Sequence, residues 1–196
     1  MKKLVAAMLV MAFAASLKAN TEGYVMLSVW HPGQIPIATT SLDGLRLNLL
    51  YGECQNLNGL DLGMAGKVRE RMNGLQLGLL FNIVGTDAAG AELACANYVE
   101  SDFSGVQFGV WNGVGGDGRG AQVGVWNDAK NFAGLQLGVI NWAKVVSGLQ
   151  LGIVNCTTFG GDFVQIGLAN FNLGAVNEAN GERALGYVLP FFNMNW

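Results

Sequence analysis

The sequence predicts an all-β, single-domain β-solenoid of about nine coils of 14–16 residues, closed by a capping segment at each end. Three observations predict it. A short motif recurs in nine copies, beginning at Gly44, Gly59, Gly74, Gly90, Gly105, Gly120, Gly134, Gly148 and Phe163, always 14, 15 or 16 residues apart. Within each copy apolar and polar residues alternate with period two, as side chains do along a strand. The chain also combines 29 glycines and 51% hydrophobic residues with only 13% charged ones, a mixture that suits a regular stack better than an ordinary globule.

Taken in order, residues 1–19 read as a secretory signal peptide: Lys2 and Lys3 precede the apolar stretch Leu4–Ala15, and Leu17-Lys18-Ala19 offers a cleavage site. That stretch is shorter than the roughly 20 residues of a spanning helix. Residues 20–43 read as an N-terminal capping segment, because "WHPG" at 30–33 breaks the pattern with a Pro-Gly turn. The repeat array follows over 44–177, with "FNLGAVN" at 171–177 as a truncated copy. Residues 178–196, ending in "LGYVLPFFNMNW", form the C-terminal cap.

Inside the array the motif has columns. Numbered from its first residue, positions two, four and six are apolar in every copy, for example Leu135, Leu137 and Val139, and are expected to face the interior. Val68, Val99, Ala129, Ala143 and the Val145-Val146 pair would supply inward residues on the return. Position three reads Arg46, Asp61, Gln76 and Glu92, then Gln107, Gln122, Gln136, Gln150 and Gln165, and is expected on the opposite, solvated face. Position five is Gly or Ala after the first copy, where it is Asn48. Position eight is Asn97, Asn112, Asn127, Asn141, Asn155 and Asn170 in six later copies, read as the corner that ends each strand. Stacked Gln and Asn would form ladders that satisfy one another's amides. Copies two and four, with Gly66 in place of Asn and with Ala91 and Ala94 in place of Leu and Gly, should be the least regular.

An outer-membrane β-barrel of about 12 strands is the alternative, since its strands also alternate. Its lipid-facing row would span only about 17 Å here, against an apolar band of about 25 Å.

With these repeats laid out, the chain resembles a family of exported bacterial surface repeat proteins built from GLQLG-x-x-N copies behind a signal peptide. "GLRLNLLYG" at 44–52, "GLDLG" at 59–63, the GLQLG copies at 74, 134 and 148 and "LPFFNMN" at 189–195 carry the resemblance. It implies export to the cell surface, outer membrane or periplasm of a Gram-negative bacterium, and it lends no activity.

Chemistry is sparse. His31 is the one histidine and sits in a turn, whereas zinc asks for three or four ligands. Cys54, Cys95 and Cys156 fall in copies one, four and eight, about 14 Å or more apart by rung count and beyond disulfide reach; Cys95 is expected in the core. "GVGGDGRG" at 113–120 contains a G-x-G-x-x-G pattern, yet a strand follows it rather than a helix, so it reads as a flexible loop between repeats. Arg46 and Asp61 on successive rungs read as an ion pair on a solvated face. No enzyme, cofactor or metal is expected. After loss of the leader, eight basic residues stand against fourteen acidic ones, a net charge of −6, which makes nucleic acid a poor partner. The expected function is a non-enzymatic one: a flat face for binding or surface structure. Trp111, Trp126, Gln107, Gln122, Gln136 and Gln150 form its contact strip, toward a surface ligand or protein or the outer membrane.

Overall fold

Copies of one motif can lie directly over one another only if their strands run parallel and in register, and this is what the chain does. A computed structural model describes residues 22–159, 161–174 and 186–196; the expected leader and part of the truncated copy lie outside them. The strands are β1 (Glu22–Trp30), β2 (Gly33–Ile35), β3 (Ser41–Cys54), β4 (Leu57–Val68), β5 (Met72–Val84), β6 (Ala88–Leu93) and β7 (Ala96–Val99). They continue as β8 (Phe103–Phe108), β9 (Trp111–Val123), β10 (Trp126–Leu137), β11 (Ile140–Leu151), β12 (Val154–Phe159), β13 (Phe163–Asn172) and β14 (Tyr187–Asn195). Like pairs with like: Asn127 with Asn141, Gly134 with Gly148, Leu135 with Leu149 and Gln136 with Gln150. The molecule is a β-solenoid, and the parallel register rules out the barrel, whose strands alternate in direction.

The ends differ from the middle. β1 runs parallel to β3 as an extra rung, so the N-terminal segment is a cap only at β2, which turns back antiparallel along β1. Gln34 of β2 closes this end by donating to the Glu53 carbonyl at 2.6 Å and accepting from the Glu53 amide at 3.0 Å. At the other end β14 lies antiparallel on β13, and its Asn193 donates to Gln165 Oε1 at 2.7 Å. The C-terminal edge is therefore covered by a strand of opposite sense and the N-terminal edge in part, along Leu27–Trp30, which interrupts the template for further parallel stacking.

The sidedness of the coil is the reverse of the sequence expectation. Gln107, Gln122, Gln136 and Gln150 are 0% exposed, whereas the apolar columns point outward, with Phe108 54%, Val110 56% and Leu137 42% exposed. The reason is volume. Positions one, three and five share a face and read Gly-Gln-Gly, a set small enough for the inside of a narrow coil; three leucines per rung are not. The interior has an apolar half as well. It includes Leu42, Leu57, Met72, Phe103, Phe132 and Val146 with Cys54, Val68, Val84, Val99, Val114, Ala129 and Ala143. The expected return residues are thus buried, except that Val145 of its pair is only half-buried.

Glycine is required at two columns. Gly134, with φ +136°, turns the corner into the strand, and a Cβ there would overlap the Gly120 carbonyl oxygen one rung below. At position five a Cβ on Gly138 would press on Asn127, Asn141 and the Gly124 carbonyl. The second copy is irregular, with register shifts on both sides of it, but the fourth keeps register with its neighbours through Gly90. Residues 113–120 are not a loop; they lie within β9, and Gly118 gives the Phe132 ring its room.

Candidate contact surface

Two amide ladders run the length of the interior. In the first, Gln122 donates to Gln107 at 2.8 Å, Gln136 to Gln122 at 2.8 Å, Gln150 to Gln136 at 2.7 Å and Gln165 to Gln150 at 2.7 Å. These glutamines cannot serve as a contact strip: each is sealed inside and spends its amide on its neighbours. In the second, Asn82, Asn97, Asn112, Asn127, Asn141 and Asn155 each donate to the next asparagine at 2.8–3.0 Å. The other Nδ2 hydrogen goes to a main-chain carbonyl of the next coil, as from Asn127 to Leu137 O at 3.0 Å. The asparagines are therefore not the corner itself. They fill its concave side, and the chain bends around them at Gly109-Val110, Gly124-Val125 and Gly138-Val139.

The first ladder begins with charge. Arg46 grips Asp61 through two hydrogen bonds of 2.9 and 2.6 Å and donates to the Lys67 carbonyl; the pair is 0% and 2% exposed, not a solvated ion pair. Gly66 leaves the space for it, since a Cβ there would meet Arg46, Asp61 and Gln76. Asp61 also accepts from Gln76 at 2.9 Å and from Asn48 at 2.6 Å. Between Gln76 and Glu92, paired on adjacent rungs, the ladder has a break: Gln76 Oε1 and Glu92 Oε1 are both buried without a donor. Glu92 accepts from Gln107 at 2.7 Å through its other oxygen, and burial pushes its carboxyl up to about 7, partly offset by that bond. Protonated Glu92 carries one hydrogen, on the rung adjacent to the unpartnered Gln76 oxygen.

Among the described residues no catalytic constellation emerges. His31 lies 3.7 Å from Glu53, whose carboxyl is held below its ordinary range by its hydrogen bond from Arg69. All three cysteines are free; Cys54 is buried, with burial pushing its thiol up to about 11, but Cys95 is exposed on the outside and not in the core. Among the described residues there is no group of three or more His, Cys, Asp or Glu that could hold a metal ion.

What the molecule offers outward is apolar surface. Trp111 and Trp126 are 38% and 46% exposed. Together with Trp142, 41% exposed, and Asp128 they line a shallow concavity. Trp142 escaped the sequence reading because it stands at position nine of its copy, two residues past the column of the others; its register opposite Asp128 brings it alongside Trp126. Tyr98 stacks on Trp111 with ring centroids 5.7 Å apart, fixing that indole. Positions two, four, six and seven, which face outward except at the buried Ala65, carry no charged side chain in any of the nine copies. No helix among the described residues is long and apolar enough to cross a membrane, which leaves crossing by strands unaddressed. No family model matches the chain, and no curated protein or solved structure matches it.

Proposed function

We propose that the protein is an exported, non-enzymatic surface repeat protein that makes its contacts through the apolar outside of the coil. One observation carries this reading: apolar columns free of charged side chains cover nine successive rungs, outside an interior zipped by Gln and Asn. Contiguous apolar surface on that scale marks an interaction site. Burial of the glutamines moves the contact strip from the Gln and Gly columns to the Leu, Val and Trp columns, retaining Trp111 and Trp126. The signal-like residues 1–19 and the resemblance to exported surface repeat proteins support export.

Cell fractionation tests the reading. In a Gram-negative host the full chain should be recovered with the envelope, and Val125→Asp combined with Val139→Asp should release it into the soluble exported fraction. Equal retention of parent and variant would refute the outer surface as the contact region.

A further inference from the structure

The apolar outside is an edge rather than a plane. In copies four to eight the chain bends at positions five and six around the buried asparagines, so position six stands on the convex side of the bend. Val110, Val125, Val139 and Ile153 form a line along this crest, 56%, 49%, 41% and 48% exposed. Both slopes are apolar next to the crest and polar further away. On one side lie positions four and two, then residues such as Arg119 and Asp162. On the other lie Trp111, Trp126 and Trp142, with the half-buried Asp128 among them, then Lys130 and Lys144, exposed on adjacent rungs.

We propose that this crest is a wedge for a phospholipid bilayer surface. The inference rests on the reading of the outer surface as the contact region. A wedge with an apolar edge, an indole flank and lysines above it matches the layers of a bilayer interface: acyl chains, then the headgroup level favoured by Trp, then phosphate. Lys130 and Lys144 supply charge complementary to phosphate, Lys144 lying close enough to Asp128 to favour its carboxylate against burial. A second copy fits poorly, because two convex edges meet along a line and bury far less than the roughly 1,200–2,000 Å² of a stable association. A bilayer parts around a wedge, and headgroups close over its slopes.

Flotation of the mature chain, residues 20–196, with vesicles of phosphatidylcholine, with and without phosphatidylglycerol, tests this. The chain should float without detergent, and its tryptophan emission should be quenched by brominated phosphatidylcholine. Val125→Asp with Val139→Asp should weaken flotation at least about tenfold, with an unchanged far-ultraviolet dichroism spectrum. Lys130→Ala and Lys144→Ala should each weaken binding to the anionic vesicles by about fivefold, and to phosphatidylcholine alone much less. Failure to float, flotation untouched by the aspartates, or absence of quenching in the parent chain would overturn the wedge. So would a dimer in sedimentation that the aspartates dissociate, which would assign the crest to a second copy. If flotation fails while the same variants still lose envelope retention, the contact-surface reading stands and only the lipid assignment falls.

Discussion

Replacing Glu92 by glutamine should make the protein more stable at neutral and alkaline pH and remove one pH dependence. The buried carboxyl titrates at about 7 in the folded state, against 4.5 ordinarily. Because the folded value is raised, the stabilisation is fully present below about pH 4.5 and is lost as pH rises through about 7. At about 1.4 kcal/mol per pH unit the displacement amounts to about 3 kcal/mol. A glutamine at 92 keeps an acceptor for Gln107 and adds an amide donor for Gln76 Oε1 at every pH, so the variant should not share that loss. The assay is urea unfolding of parent and Glu92→Gln from about pH 4.5 to about pH 8, followed by far-ultraviolet dichroism. Burial also raises Asp128 and the Arg69 hydrogen bond lowers Glu53, but both groups remain in both proteins and cancel in the difference. Superimposable pH profiles, or a variant less stable than the parent at about pH 8, would show that no proton bridges the two oxygens.

Four further outcomes follow from the same geometry. Gly134→Ala should cost at least about 2 kcal/mol in thermal unfolding, since φ is +136° and the Gly120 carbonyl blocks the methyl, while Ala133→Ser beside it should stay within about 0.5 kcal/mol. Asn127→Leu strands Asn112 Nδ2, Asn141 Oδ1 and the Leu137 carbonyl together and should lose about 3 kcal/mol in urea unfolding; Asn58→Leu, at an exposed contact with Asp43, should lose little. Arg46→Gln leaves Asp61 buried and unpaired and should cost about 3–5 kcal/mol. Adding Asp61→Gln should recover most of that in the same assay, because the glutamine ladder then extends by two rungs. Deleting residues 120–133, one whole coil, should preserve a single cooperative melt, whereas inserting seven residues after Ala133 should destroy it by putting every column out of phase.

The register of the regular copies was legible in the sequence, because a column such as Gly120, Gly134 and Gly148 pairs only with itself, whereas the shifts around copy two and the extra rung at β1 were not. Which side of the strand faces inward was not. Alternation places Leu135 and Gln136 on opposite faces but carries no sign, and the usual preference of leucine for the interior points the wrong way here. Two signals would have corrected it. The glutamines share their face with glycines, so that face has the smaller volume. The polar column is also uniform from Gln107 to Gln165, while the apolar one drifts among Leu, Phe, Val and Ile. A side chain bonded to its own image cannot vary, but a side chain in solvent or lipid can. Burial of Arg46 and Asp61 follows from the same inversion, as does the exposure of Cys95. Trp142 was hidden for a different reason: it stands two residues past the column of Trp111 and Trp126, and comes alongside Trp126 through the pairing of its rung with Asp128.

The two amide columns point in opposing senses, glutamines donating toward the N-terminus and asparagines toward the C-terminus. Had both pointed the same way, their dipoles would have summed along roughly 40 Å of rod into opposite partial charges at its tips. Opposed, they largely cancel, and each added coil contributes almost nothing to the longitudinal polarisation. Duplication of a coil therefore lengthens the rod without charging its tips.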